Sequence, residues 1–237
     1  MTDVWRFLFE QGWAVSLLKG SAVTLGLGLL GMFLGLIIAL PLAIIRWREI
    51  RLVGRLIEAY TMLVRSIPGL LIIYLIFFGS VQTVDSIGAF FGFQAAVRSA
   101  YPFLMGMLAI SIISSAYSVE VLRGALQTIP EGLIEASKSL AMPRRGIYLR
   151  IVLPLMLRNA LSGLNNVWQM TIKDTSLVSV VGLGELMRTA ALAAGISRSP
   201  LVFYLIAGAV FLLITFASQR LFVVCERHLN RGFLEAR

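Results

Sequence analysis

Four stretches of this chain carry no charged side chain over a length that can cross a bilayer: residues 22–45, 66–84, 99–119 and 199–219. A hydrocarbon core about 30 Å thick needs roughly 20 apolar residues, wound as a helix so that every backbone group is satisfied within the segment. A fifth stretch, 159–184, is apolar apart from Lys173 and Asp174. Composition agrees: of 237 residues, 58% are hydrophobic and 14% charged, and the mean hydropathy is +0.87. A soluble domain carries about 25% charged residues, so this chain lacks the polar surface to coat a globule, which argues against a soluble enzyme. The expected fold is an all-α integral membrane protein with five transmembrane helices, at about 22–45, 60–84, 99–124, 156–182 and 199–223. The apolar stretch 86–97 is too short to cross and reads as a re-entrant or interfacial piece.

The 21 Lys and Arg outnumber the 12 Asp and Glu, giving a net charge of +9. In a soluble chain that excess would suggest nucleic acid; in a membrane protein it marks cytoplasmic loops, and no nucleic-acid partner is expected here. Arg46, Arg48, Arg51 and Arg55 follow the first span, Lys138, Arg144, Arg145 and Arg150 precede the fourth, and Arg220, Arg227, Arg231 and Arg237 follow the fifth. The opposite loops hold Arg6, Lys19, Arg98, Arg188 and Arg198. This asymmetry predicts an external N-terminus and a cytoplasmic C-terminus. Asp3 and Glu10 stand where a secretory signal needs basic residues, so the first span is expected to be retained. One cysteine, Cys225, and one histidine, His228, leave no disulfide framework and no cluster for a metal centre. No metal or cofactor is expected.

Small residues recur at the spacing that lets helices approach closely. Gly31 and Gly35 are such a pair in the first span, and Ser111 and Ser115 in the third, with no partner identified for either. Trp5, Trp13, Trp47 and Trp168 are candidate interfacial anchors.

The most informative connection is 126–154. Thr128 and Glu131 have capping-box spacing, and Pro130 suits a first helical turn. A short helix is expected to run to about Ala141, with Ile129, Leu133, Ala136 and Leu140 on one side. Pro143 interrupts it, and a second, basic helix leads through 144–153 to Pro154. The residues leave two readings open: a helix pair lying on anionic lipid, or a knob that docks a cytoplasmic protein.

Within that loop Glu135-Ala136-Ser137, then Ala141, then Ile151, Leu153 and Pro154 resemble the EAA-x3-G-x9-I-x-LP signature of bacterial ABC importer membrane subunits. Two positions depart from it, Ser137 for the last Ala and Ala141 for the Gly; a backbone with positive φ at Ala141 would be strained. The stretches around Arg65-Ser66-Ile67-Pro68, Glu120 to Ala125, Lys173 to Leu177 and Glu226-Arg227 are similar to polar amino acid permeases in the same order. Asn165 to Gln169 and Val181-Gly182-Leu183 look most like the Q-type subunits of histidine/lysine/arginine/ornithine and octopine/nopaline importers. The resemblance implies the ABC type I importer fold, with residues 1–19 outside, a transmembrane domain over 20–225, a coupling loop at 126–154 and a cytoplasmic tail at 226–237. It implies a transport subunit of the inner membrane, not an enzyme, moving polar and chiefly basic amino acids or opines. Its implied partners are a second, paralogous permease subunit, a cytoplasmic ATPase dimer and a periplasmic solute-binding protein. Consistent with that division of labour, the chain has no G-x-x-x-x-G-K-[ST] phosphate loop.

Lys173 and Asp174 fall about midway along the fourth span, where an ionised side chain costs about 2.5–3.5 kcal/mol on insertion scales. Adjacent on a helix, they point about 100° apart and cannot simply neutralise each other. Each needs an interhelical partner, with Arg65 and Glu120 as candidates, or a watery cavity on the solute path. Arg65, Asn166, Gln169, Lys173 and Asp174 are therefore the candidate pathway residues, although Arg65 also fits snorkelling to the interface. Glu120 and Arg123 are spaced for a local pair. Alternatives to a basic amino acid permease are the same machine for acidic or neutral amino acids, an ion-coupled secondary transporter using Lys173 and Asp174, and a non-transporting scaffold.

Overall fold

The computed structural model describes residues 11–90, 92 and 94–230. Asp3, Trp5, Arg6, Glu10, Arg231, Gly232 and Arg237 lie outside the described residues. The helices are α1 Trp13–Trp47, α2 Arg51–Ser66, α3 Gly69–Phe90, α4 Gln94–Gln127, α5 Glu131–Ser139, α6 Arg144–Ile147, α7 Leu153–Asp174, α8 Leu186–Ser197 and α9 Pro200–Asn230. A π-helical turn, Tyr148–Val152, joins α6 to α7, and a 3₁₀ segment, Thr175–Val181, continues α7. Five helical runs are long and apolar enough to cross a membrane: Trp13–Trp47, Gly69–Phe90, Arg98–Gln127, Arg144–Val181 and Pro200–Leu229.

The second span is not the single helix expected over 60–84. Pro68 disfavours the helical conformation in the residue before it, and Ile67 is extended (φ −88°, ψ 136°). The chain is thereby divided into an amphipathic α2 and a membrane-length α3. The 86–97 stretch is no separate re-entrant piece either. It is the end of α3, a turn at Gly92 with φ 73°, and the start of α4.

The two small-residue pairs meet each other. α1 and α4 pack along their length, with Gly31 against Ile110 and Gly35 against Ser111, Ser114 and Ser115. The serines there are buried, but their hydroxyls bond to carbonyls of their own helix: Ser111 to Met107, Ser114 to Ser111 and Ser115 to Ile112. They therefore cost little in an apolar core. α7 closes the other side of α4 through Met156, Ala160, Leu164 and Ile172. Trp168 belongs to this core and is buried, so it is not an interfacial anchor. At one end of the bundle Leu17 of α1 packs with Leu186 of α8 and Phe203 of α9. At the other, Trp47 stands edge-on to Tyr148, which places the α1 end beside the 126–154 loop.

Candidate functional site

The 126–154 loop folds as two helices around Pro143, but its first turn differs from the capping-box expectation. Pro130 is the N-cap of α5 and no side chain caps the helix. Thr128 Oγ1 instead donates to the Ala125 carbonyl (2.8 Å) and accepts from Asn159 Nδ2 of α7 (2.7 Å). Proline cannot offer the side-chain oxygen that a capping box needs, and Thr128 is committed elsewhere. The helix ends in a Schellman arrangement, with Ala141 N–H bonded to Lys138 O (2.9 Å) and Met142 N–H to Ser137 O (3.2 Å). Ala141, at φ 54°, occupies the left-handed position that this ending requires.

Of the residues expected on one side, only Ile129, just ahead of α5, is buried. Ile129 and Ser137 are buried and Ile134 half-buried, whereas Leu133 is 41% and Leu140 78% exposed. Ala136 and Glu135 are exposed beside them. Leu133, Ala136 and Leu140 thus form an outward apolar row, and the bundle is met by a narrower face that includes a small polar residue. Periodicity marked a row of apolar residues correctly but could not tell packing from presentation.

Ile151, Leu153 and Pro154 lie in the junction between α6 and α7, and the helical run passes through it. Pro154 has no N–H, and in a regular helix its ring would press on the carbonyl four residues back. The π turn Tyr148–Val152 widens the helix just ahead of it, with Leu153 N–H reaching Tyr148 O, and the run from Arg144 continues to Asp174. Between α1, α5 and α6 lies a cavity of about 890 Å³, walled by Trp47, Glu49, Glu131, Glu135, Lys138 and Tyr148 among others. The Arg48 guanidinium sits 4.9 Å from the centre of the Tyr148 ring. Sequence reasoning missed this wall, because residues 47–49 and 148 are far apart in the chain.

α7 has two unlike faces. Ala160, Leu164, Val167, Trp168, Thr171 and Ile172 are buried. On the opposite side Asn159, Ser162, Asn166, Gln169 and Lys173, with Ser176 just beyond in the 3₁₀ segment, repeat at three- and four-residue steps and are exposed or half-buried. Gln169 Nε2 donates to Asn165 Oδ1 (3.4 Å), and its Oε1 is buried with no partner among the described residues. Lys173 and Asp174 stand at the end of α7, where the helix tightens into 3₁₀ geometry, and not in the middle of a regular helix as expected. Lys173 is exposed on the polar face, and Asp174 is half-buried to one side of it. Among the described residues Asp174 forms no ion pair. Arg65 does not pair with Asp174, nor Glu120 with Lys173, because Arg65 and Glu120 pair with each other (3.6 Å) near the loop end. The candidate pathway residues therefore separate into Arg65 on α2 and the other four on α7. The Glu120–Arg123 pair is present at 3.4 Å.

A spanning run with an exposed polar stripe and a basic loop bearing an exposed apolar row describe a membrane subunit built to meet other subunits. Residues 29–230 match the family of binding-protein-dependent transport system inner membrane components. The chain belongs to this family. The permease is 40% identical over 227 residues to the nopaline transport system permease protein NocQ of Agrobacterium fabrum, covering 94% of each chain. It is 39% identical to the octopine transport system permease protein OccQ of Rhizobium radiobacter, over 94% of this chain and 93% of the relative. With the histidine/lysine/arginine/ornithine transport system permease protein HisQ of Escherichia coli the identity is 32%, over 95% and 98%. Among solved structures, a crystal structure of an amino acid ABC transporter with histidines superposes with a TM-score of 0.77 at 26% identity, covering 94% of the permease and 98% of that chain. The permease is thus an inner-membrane transport component of an ABC importer and not an enzyme, and the ion-coupled and scaffold alternatives fall away.

Proposed function

We propose that this permease moves basic amino acids or opines, in a complex with a second, paralogous permease subunit, a cytoplasmic ATPase pair and a periplasmic solute-binding protein. The substrate class rests on relatives named for nopaline, octopine, and histidine, lysine, arginine and ornithine. The observation that carries the pathway is the polar face of α7. Exposed Asn, Ser and Lys side chains are costly against hydrocarbon, so that face belongs on water or on a neighbouring subunit. A second permease subunit facing it with a similar stripe would enclose a polar path between the two. In that path the Lys173 ammonium suits the α-carboxylate common to all amino acids and does not select among them, whereas Asp174 suits a cationic side chain.

In this reading α5 is the ATPase-docking element, with Glu135, Ala136 and Ser137 on it, Ala141 in the turn that ends it, and Ile151, Leu153 and Pro154 at the junction behind it. Displacement of α5 would pass through the Pro143 turn into the continuous run from Arg144 to Asp174, moving the polar face itself. Such a lever would alternate access between the two sides. The N-terminal segment 1–19 lies outside, the domain 20–225 spans the membrane, and the tail 226–237 is cytoplasmic.

The test is uptake by the four-component complex in proteoliposomes. ATP-driven uptake of arginine or octopine, with little uptake of glutamate, supports the proposal; preferential uptake of glutamate would overturn the substrate class. For topology, Ser86→Cys should react with an impermeant thiol reagent from outside and native Cys225 should not. The opposite labelling pattern would invert the orientation.

A further inference from the structure

The cavity of about 890 Å³ behind α5 is ringed by six charged side chains: Arg48 and Glu49 where α1 ends, Glu131, Glu135 and Lys138 on α5, and Arg144 at the start of α6. Three are cations and three are anions. Among the described residues, no ion pair joins any two of them. Nearby, Arg46 and Arg65 both pair with Glu120, so the lack of pairing is local to this cavity. Charges that could complement one another thus stand on different walls of one open space without meeting.

Glu49 is the most unusual of the six. Its φ of 55° is left-handed, a conformation that glycine adopts freely and an L residue does not. Its N–H bonds to Arg46 O (3.2 Å) as α1 ends. The position therefore bears strain while it presents a carboxylate, on an exposed side chain, to the cavity wall. Lys138, also exposed, stands on the α5 wall with the opposite charge. Neither side chain is used in packing, so each can change partners without disturbing the core.

The two walls are joined at Tyr148. Its ring stands edge-on to Trp47, 6.5 Å between centroids, and the Arg48 guanidinium lies on it. Its carbonyl accepts from Leu153 N–H across the π turn. Such turns within α-helices cluster at functional sites.

We propose that α5 and α6 close this cavity against the end of α1, swinging about the Tyr148 contact, and that Glu49 and Lys138 are positioning residues that pair when it closes. This rests on the reading of α5 as the ATPase-docking element: the ATPase pair, closing on ATP, supplies the push. Glu49 lies outside the 126–154 loop, so the end of α1 takes part in coupling along with the loop. An exposed ion pair is weak, so the closed arrangement releases readily when the push ends.

The test uses the assembled transporter with its binding protein in proteoliposomes. Glu49→Lys and Lys138→Glu should each lower binding-protein-stimulated ATP hydrolysis and uptake by about fivefold, the upper range for an exposed ion pair. The double variant Glu49→Lys/Lys138→Glu should recover most of both. Rescue distinguishes a pair from a direct contact of Lys138 with the ATPase, which a change at Glu49 could not restore. Both positions are exposed, so the thermal midpoint and ATPase co-purification should stay unchanged. Glu49→Cys/Lys138→Cys, built with Cys225→Ser, should crosslink more readily when the ATPase is trapped with ATP and vanadate than without nucleotide. Crosslinking that ignores nucleotide, or single reversals that have no effect or are not rescued by the double variant, would overturn the closure. Failure of the ATPase to co-purify with the wild type would instead overturn the docking reading on which it rests.

Discussion

Gly35 of α1 lies so close to Ser114 of α4 that a β-carbon on the glycine would stand 2.2 Å from the serine Oγ. The same β-carbon would be 3.0 Å from the Ser111 carbonyl oxygen, so turning the serine rotamer would relieve only part of the clash. Helix association in a bilayer depends on such close approach, because lipid tails offer apolar side chains as much contact as a neighbouring helix does. Gly35→Ala should therefore force α1 and α4 apart and destabilise the protein by about 1–3 kcal/mol, the range for overpacking a tight core. A fall in the thermal midpoint in detergent checks this. Gly26→Ala, with open space around its position, is the matched control and should change little.

Ala141 should give the opposite result. Its φ of 54° is held by the two hydrogen bonds that end α5, and an L side chain there suffers a clash that glycine avoids. Ala141→Gly should stabilise the α5 terminus by about 1 kcal/mol, the lower end of the left-handed penalty. The measurement is slower amide exchange of residues 137–142 with uptake retained. Unchanged or faster exchange would mean that the left-handed turn is not what limits this helix end.

The spans were legible because hydropathy is a local property, and Gly31, Gly35, Ser111 and Ser115 were legible as pairs because their spacing is helical. That one pair packs on the other was not legible, since nothing local relates α1 to α4. Residues 175–181 read as a continuation of the fourth span because they are apolar, yet Thr175, Val178, Val180 and Val181 are β-branched and the segment tightens to 3₁₀ before Gly182. This shift puts Lys173 and Asp174 at a helix end. Helix α8 went unseen because its start signal is Glu185, a poor N-cap by residue type. Thr24, far away in sequence, joins that cap by donating to Glu185 and accepting from the Leu186 N–H.

That cap carries a pH dependence. Glu185 is fully buried; its Oε1 accepts from Arg188 N–H (2.7 Å), and its Oε2 accepts from Met187 N–H (2.9 Å) and Thr24 Oγ1 (3.2 Å). Burial raises its pKa above the ordinary 4.5, and the hydrogen bonds from Met187, Arg188 and Thr24 oppose the rise without cancelling it. The folded state thus holds this proton more tightly than the unfolded state. The sign follows: the stabilising contribution is fully present below the ordinary carboxylate pKa and is lost as pH rises through the higher folded value. Unfolding of the wild type in detergent should become easier over that window, and Glu185→Gln should flatten the profile. Glu185→Ala should lower stability at every pH by about 1–3 kcal/mol, because buried donors lose their acceptor. A wild-type profile that rises over the same window would contradict the assignment.

The outward row on α5 gives the sharpest test of coupling. Ala136 is exposed between Leu133 and Leu140, so a large side chain there meets no part of this chain and should not disturb the fold. Against a docked ATPase, however, Ala136→Trp would add bulk that a packed interface absorbs only at about 1–3 kcal/mol. Glu135→Lys would replace the acidic group with a cation and repel any basic partner group, a penalty that can reach several kcal/mol across an interface. Both variants should insert in the membrane and still receive the binding protein on the far side. ATPase stimulation and uptake should fall together, and a crosslink from Ser139→Cys to the ATPase subunit should be lost. If Ala136→Trp left ATPase co-purification and uptake unchanged, Leu133 and Leu140 would instead be seated in lipid, and the 126–154 loop would be a helix pair lying on the membrane surface.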